Sequence, residues 1–144
     1  MKITILCNGA FPTGIESLRE INTGNFLLCC DGAANQAKKN NYDPNLIIGD
    51  MDSLSNPHEF EGKIEEVKDQ NYNDLSKAIF WAQKNGYTEA TILGATGNRD
   101  DHMIANIFLL LDMDILIKVK IITDFGEFTV LDSRNIKIEN DIYS

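Results

Sequence analysis

Basic residues, cysteines and long apolar runs are scarce in this sequence. Its 13 lysines and arginines are outnumbered by 22 aspartates and glutamates, for a net charge of −9 at pH 7. We therefore expect neither nucleic acid nor an anionic membrane as a partner, because both require basic patches. No stretch approaches the roughly 18 apolar residues of a membrane-spanning helix, and the N-terminal apolar run is too short for a signal peptide. These features predict a soluble, cytoplasmic protein.

The three cysteines do not form a metal-binding pattern. Cys7, Cys29 and Cys30 show neither a CxxC motif nor Cys/His spacing, which argues against structural zinc. All three lie in apolar runs and are predicted to be buried thiols in a reducing compartment. A chain of 144 residues is long enough to bury the core of one domain without such support.

Short apolar runs alternate with helical patterns along the chain. Strands are predicted at residues 3–7, 26–30, 46–48, 90–93 and 119–123, with one or two more within 126–133. Their continuous apolar character is typical of strands covered on both faces. Helices are predicted at residues 33–40, 73–85 and 100–112, the second capped by Asn73 and stopped before Gly86. The alternation predicts an α/β fold, with a mostly parallel sheet and helices on both faces.

Acids and glycines follow several of the predicted strands. Asp31, Asp50, Gly94 and Asp124 each follow one, and open α/β sheets bind ligands at the carboxyl edge of their strands. In an extended segment Asp50 and Asp52 would share a face, roughly 6–7 Å apart, a spacing that suits Mg²⁺ with its oxygen ligands and waters. The alternative for this pair is a polar turn after a strand.

Two further segments carry possible binding groups. The glycine-rich residues 93–102, LGATGNRDDH, lead from a strand into a helix, so that backbone amides and Arg99 could bind an anion. They match neither the Walker A nor the dinucleotide motif, and the alternative is a tight turn with a surface arginine. Asp101 would repel an anion there unless a metal lay between them. Asp74 and Lys77 share the first turn of a helix, and the alternative there is an ordinary capped helix with an ion pair.

The order of four segments is more specific than any one of them. DGAAN at 31–35, GDMDS at 49–53, NDLSKA at 73–78 and GATGNRDDH at 94–102 resemble the catalytic, nucleotide-binding domain of the thiamine pyrophosphokinases, over roughly residues 29–131. That family transfers pyrophosphate from ATP to the hydroxyl of thiamine, giving thiamine diphosphate and AMP. The resemblance thus implies a Mg²⁺-dependent kinase of thiamine diphosphate biosynthesis, with ATP and thiamine as substrates.

The resemblance also implies the site residues. Asp50, Asp52 and Asp74 would hold Mg²⁺, and Asp31 or Asp101 would accept the thiamine hydroxyl proton. The catalytic residues it implies are Asp31, Asp50, Asp52, Asp74 and Asp101, and the nucleotide- or phosphate-binding residues are Asn35, Lys77, Gly94, Gly97, Asn98, Arg99 and His102. Three positions depart from the family pattern: Ala33 and Asn98 replace glycines, and Asn73 replaces a threonine.

Members of that family carry a second, all-β domain that helps to form the thiamine pocket and the homodimer. We therefore expect residues 1–134 to form the catalytic domain and residues 135–144 to begin a β region that is cut off. Two alternatives remain. One is a nucleotide- and metal-binding module without catalysis. The other is a receiver-type signalling domain, which needs an acidic pair after its first strand, where this chain has Cys7, Asn8, Gly9 and Ala10.

Overall fold

The computed structural model of the chain describes residues 1–68, 73–97, 100–112, 115–132 and 135–139. Within them it contains eight strands, four α-helices and one short 3₁₀ helix, Pro57–Phe60. The strands are β1 Lys2–Leu6, β2 Phe26–Cys30, β3 Leu46–Gly49, β4 Ile64–Glu66, β5 Glu89–Leu93, β6 Lys118–Ile122, β7 Glu127–Asp132 and β8 Asn135–Glu139. The helices are α1 Ile15–Ile21, α2 Ala33–Lys39, α3 Asp74–Lys84 and α4 Asp100–Asp112. Each predicted helix and strand agrees with the structure to within one residue at either end.

All the strands belong to one sheet, in the order β4-β3-β2-β1-β5-β6-β7-β8. Neighbours from β4 to β6 are parallel, whereas β7 and β8 are antiparallel additions at one edge. The chain builds outward from β1 through β4, then returns to place β5 on the other side of β1. The predicted α/β fold with a mostly parallel sheet is confirmed. The return creates a switch point between β1 and β5, where open α/β sheets form ligand crevices.

Helices cover both faces of the central strands. Ile5, Leu28 and Ile92, each fully buried, pack with α3 on one face. Cys29 and Ile47, also fully buried, pack with α2 on the other. Because side chains alternate along a strand, burial on both faces requires an apolar residue at nearly every position. This requirement explains the continuous apolar runs in the sequence.

The sequence analysis missed α1 and β4. Helix α1 has seven residues and no side-chain cap of its own at Gly14. Instead the Asp124 carboxylate accepts hydrogen bonds from Gly14 N at 2.7 Å, Thr13 Oγ1 at 2.6 Å and Thr13 N at 3.1 Å. Burial raises the pKa of Asp124, but these hydrogen bonds outweigh it and hold the pKa below its usual value. A cap supplied from a distant loop leaves no local signal. Strand β4 is a three-residue edge strand, too short for a periodic pattern.

The C-terminal strand β8 pairs antiparallel with β7. It continues the same sheet as the rest of the domain, and a domain boundary after residue 134 stays a prediction. In the portion of the chain that the structure describes, no helix is both long and apolar enough to cross a membrane.

Candidate functional site

A cavity of about 500 Å³ opens at the switch point of the sheet. Its walls include Asn8 and Gly9 after β1, Asp31 after β2, and Gly94 after β5, with Asp74 from the start of α3. Of the four strand ends that were expected to meet, those followed by Asp31 and Gly94 line this cavity, whereas Asp124 caps α1 instead. The cavity combines carboxylates on one side with a glycine-rich turn on the other.

Asp31 is buried in the wall of this cavity. Its residue is 5% exposed and adopts a left-handed backbone conformation, with φ of 41°. One carboxylate oxygen accepts a hydrogen bond from Ser53 N at 3.2 Å. Burial, together with a hydrogen bond to the Asp50 side chain, raises the pKa of Asp31 to about 6. Two carboxylates at such close range repel each other, so one of the pair keeps its proton to a higher pH.

Asp50 and Asp52 lie in a turn, so the prediction of an extended segment with both carboxylates on one face is wrong. Met51 between them has a φ of 69°, and Asp50 Oδ1 accepts a hydrogen bond from Asp52 N at 3.1 Å. Such side-chain bonds to the backbone two residues on favour turns over extended chain. The Asp52 backbone bond, with the Asp31 side chain, lowers the pKa of Asp50, which therefore carries a charge at neutral pH.

The first turn of α3 presents a third carboxylate. Asn73 caps the helix, its Oδ1 accepting from Ser76 N at 2.9 Å. Burial raises the pKa of Asp74, although the ammonium of Lys77, 3.6 Å from Asp74 Oδ1, opposes this shift. The Lys77 side chain is 6% exposed, and its Nζ donates to the Val67 carbonyl at 2.9 Å. The ammonium thus ties Asp74 to the segment after β4.

Gly49 separates the carboxylates of Asp31 and Asp74. A Cβ atom built on Gly49 would lie 3.1 Å from Asp31 Cβ and 3.2 Å from Asp74 Cγ. The negative charge of Asp50 contributes to the raised pKa of both neighbours. Three of the predicted acids, Asp31, Asp50 and Asp74, therefore form one electrostatically coupled group around the end of β3. We call these three residues the acidic group.

The turn after β5 packs tightly against the loop after β1. Gly94 and Gly97 have φ of 69° and 86°, which favour glycine. Gly9 N donates to the Gly94 carbonyl at 2.8 Å, and Ala10 N donates to the Thr96 carbonyl at 2.9 Å. We call residues 94–97 the glycine-rich turn. It lines the same cavity as Asp31 and Asp74 of the acidic group, and the strand before it, β5, lies on the other side of β1 from β2.

Several predicted site residues lie elsewhere or outside the described residues. Asn35 binds the backbone after β3, donating to the Ser53 carbonyl at 2.8 Å and accepting from Ser55 N at 3.0 Å. Asp101 is exposed on the first turn of α4. Asn98, Arg99 and the side chain of His102 lie outside the described residues. Their binding roles stay predictions.

Asn8 and Asn106 line the cavity but were missed by the sequence analysis. Asn106 interrupts the otherwise apolar residues 103–111 of α4. This interruption was the available signal. Its side chain contacts both Asn73 and the carbonyl of Ala95.

A family model described as "Thiamin pyrophosphokinase, catalytic domain" matches residues 18–123, more than half of the chain. The chain belongs to the thiamin pyrophosphokinase catalytic-domain family. The predicted resemblance is confirmed, and the matched residues include every lining residue of the cavity except Cys7, Asn8 and Gly9.

Individual thiamin pyrophosphokinases show the same similarity. The chain is 27% identical to "Thiamin pyrophosphokinase 1" of Caenorhabditis elegans over 146 residues, covering 93% of the chain and 56% of that protein. A crystal structure of a probable thiamine pyrophosphokinase from Staphylococcus saprophyticus is 27% identical, with a TM-score of 0.70 over 89% of this chain and 68% of the other. The enzyme from Bacillus subtilis has the same fold, with 21% identity and a TM-score of 0.74 over 89% of this chain and 63% of the other. The chain thus spans little more than half the length of the curated relative.

The carboxylates of this thiamin pyrophosphokinase domain suit a hard cation. Within the described ranges no three acidic, histidine or cysteine side chains lie close enough together to enclose a metal. Mg²⁺ needs no such enclosure, because it binds through one or two carboxylates and completes its shell with waters and substrate phosphates. The ionised Asp50, with Asp74 nearby, matches that requirement. The acidic group therefore fits Mg²⁺ held jointly with a phosphate ligand.

The raised pKa of Asp31 predicts a pH dependence of stability. Its pKa rises from 3.8 to about 6 on folding. Between these pH values the Asp31 carboxyl is therefore protonated in the folded state and ionised in the unfolded state. Stability then falls as pH rises from about 4 to 6, by roughly 1–3 kcal/mol, and levels off above. We expect urea unfolding of the metal-free chain to show this fall, and Asp31→Asn to remove most of it. An unchanged pH profile in Asp31→Asn, relative to Asp43→Asn as an exposed control, would contradict the assignment.

Proposed function

We propose that this chain carries the nucleotide-binding, catalytic part of a thiamine pyrophosphokinase. The reaction is the Mg²⁺-dependent transfer of pyrophosphate from ATP to the hydroxyl of thiamine, giving thiamine diphosphate and AMP. The observation that carries the proposal is the cavity at the switch point, which has Asp31 and Asp74 of the acidic group at one end and the glycine-rich turn at the other. Both ends suit a cation-bound polyphosphate, one through its metal and one through its oxygens.

Each part of the cavity has a separate task in this proposal. Asp50, Asp52 and Asp74 would hold Mg²⁺ jointly with its waters and the ATP phosphates, and the bound ion would neutralise charge on those phosphates. Gly94 and Gly97 allow the glycine-rich turn to approach the phosphates closely. Asn98, Arg99 and His102 bind the phosphates, and Asn35 steadies the loop that carries Asp52. Lys77, bound to Asp74 and to the Val67 carbonyl, keeps Asp74 in position and adds positive charge beneath it.

The transfer step needs no reactant besides ATP and thiamine. The thiamine hydroxyl oxygen forms a bond to the β-phosphorus of ATP, and the bond from the β-phosphorus to the oxygen shared with the α-phosphate breaks. AMP leaves with that oxygen, and a carboxylate accepts the hydroxyl proton. Asp31 lies in the cavity wall and is the better placed base, whereas Asp101 is exposed on α4. Positioning and charge neutralisation account for most of the catalysis in reactions of this type.

Location and assembly belong to the same proposal. The three cysteines are buried and reduced, which suits the cytoplasm. A homodimer is part of the same proposal.

Thermal unfolding with added ligands tests the proposal. We expect a larger rise in Tm with Mg²⁺ and ATP together than with either alone, because the ion and the phosphates complete one shared site. A ligand at 100 times its Kd adds about 2.7 kcal/mol to the free energy of unfolding. ATP with EDTA serves as the control for the metal. Release of AMP on adding thiamine would support the full reaction. Binding of Mg²⁺-ATP without AMP release would leave a nucleotide-binding module without catalysis, and no shift under any condition would contradict the proposal.

A further inference from the structure

The side-chain amides of Asn73 and Asn106 connect the two sides of the cavity. Asn73 Nδ2 donates to Asn106 Oδ1 at 3.0 Å, and Asn106 Nδ2 donates to the Ala95 carbonyl at 3.4 Å. Asn73 directly precedes Asp74 of the acidic group, and Ala95 lies within the glycine-rich turn. We call the two amides with the Ala95 carbonyl the amide bridge. It forms a continuous chain of hydrogen bonds along the cavity wall, which both asparagines line.

Backbone groups at both ends fix the orientation of the amide bridge. Asn73 Oδ1 accepts from Ser76 N at 2.9 Å, so its Nδ2 faces Asn106. That donor requires Asn106 Oδ1 as its acceptor, which turns Asn106 Nδ2 toward Ala95. A backbone carbonyl only accepts hydrogen bonds, so it is satisfied by this orientation alone. Reversing either amide would set two donors or two acceptors against each other.

The amide bridge also reaches the loop after β1. The carbonyls on either side of Ala95 accept hydrogen bonds from Gly9 N and Ala10 N, at 2.8 and 2.9 Å. A displacement of Ala95 therefore disturbs both of those bonds. Gly9, like the glycine-rich turn, lines the cavity. One side chain on α4 thus couples three segments of the cavity wall: the start of α3, the glycine-rich turn and the loop after β1.

We propose that Asn106 is a positioning residue of the nucleotide site. Through the amide bridge it sets the separation between Asp74 and the glycine-rich turn, which a polyphosphate and its cation have to span. This inference rests on the proposed function. It also makes Asn73 more than a helix cap, because serine at position 73 would still cap α3 but would lack the amide that Asn106 requires.

Hydrogen exchange and nucleotide binding together test this role. Asn106→Ala is expected to accelerate amide exchange at Gly9 and Ala10 about fivefold, the factor that corresponds to losing one typical hydrogen bond. The Kd for Mg²⁺-ATP should rise by a similar factor, and Asn73→Ser should have the same two effects. Because both variants break one bridge, the double variant should be no worse than the stronger single variant.

Asn85→Ala is the matched control. It removes a side-chain amide as well, but one that donates a hydrogen bond of 2.8 Å to the Trp81 carbonyl at the far end of α3. It should leave exchange at Gly9 and Ala10 and the Kd unchanged. Asn106→Asp is the second variant if Asn106→Ala does not fold, since it keeps the acceptor for Asn73 and loses the donor to Ala95. Unchanged exchange at Gly9 and Ala10, or multiplied effects in the double variant, would overturn the inference. Absence of Mg²⁺-ATP binding by the unmodified chain would instead count against the proposed function.

Discussion

Asp50→Asn is expected to lower the affinity for Mg²⁺-ATP at least about 100-fold, equivalent to roughly 2.7 kcal/mol. Asp50 is the member of the acidic group whose pKa lies below its usual value, so it supplies a full negative charge at neutral pH. Asparagine removes that charge but keeps an oxygen that can accept the hydrogen bond from Asp52 N, which is 3.1 Å long in the unmodified chain. The turn after β3 should therefore survive. Titration calorimetry with Mg²⁺-ATP and urea unfolding measure the two effects separately.

The control for this substitution is Asp43→Asn, which removes an exposed carboxylate 3.2 Å from Lys38 Nζ. Surface ion pairs of this kind contribute little, so neither affinity nor stability should change appreciably. Asp50→Asn should also lower the pKa of Asp31, because it removes a neighbouring negative charge. Normal Mg²⁺-ATP binding by Asp50→Asn would show that the metal assignment is wrong, whereas a large loss of stability would point to a structural role.

The convergence of the site could be predicted from the sequence because it follows from topology. Asp31, Asp50 and Gly94 each follow a parallel strand, and parallel strands bring their carboxyl ends to one edge. The cap of α3 by Asn73 was likewise predictable, since its partner lies three residues on. Local and topological rules are thus sufficient to place most of the cavity wall.

What could not be predicted depends on partners distant in the chain. Lys77 binds the Val67 carbonyl, and Asp124 caps a helix 110 residues earlier. The geometry of Asp50 and Asp52 was mispredicted for a local reason. The Asp50 side chain accepts the Asp52 N–H, and the chain bends at Met51. A prediction from strand periodicity does not consider such bonds between a side chain and the backbone. Asn106 was visible as a polar interruption of α4, but its partners were not.

The second large effect is expected for Gly49→Ala. Gly49 has a φ of 147°, a conformation that costs other residues about 1–3 kcal/mol. Its added Cβ would lie within 3.1–3.2 Å of Asp31 Cβ and the Asp74 carboxylate, and relieving such crowding costs about 1–3 kcal/mol more. We therefore expect a loss of roughly 2–6 kcal/mol in the free energy of unfolding. Urea unfolding measures this loss. An unchanged dependence of the free energy of unfolding on urea concentration would show that the folded state is otherwise the same.

Gly24→Ala separates the two contributions to this effect. Gly24 also has a positive φ, 81°, but a Cβ there would meet nothing within 4 Å, so only the backbone cost applies. Because the crowding at Gly49 pushes Asp31 and Asp74 apart, Gly49→Ala should also weaken Mg²⁺-ATP binding in the molecules that remain folded, whereas Gly24→Ala should bind normally. Equal stability losses in the two variants, with binding intact in both, would show that the acidic group does not depend on the close approach of β3. A greater loss at Gly49 in both measurements would mean that a glycine is required there because the carboxylates occupy the space of its missing side chain.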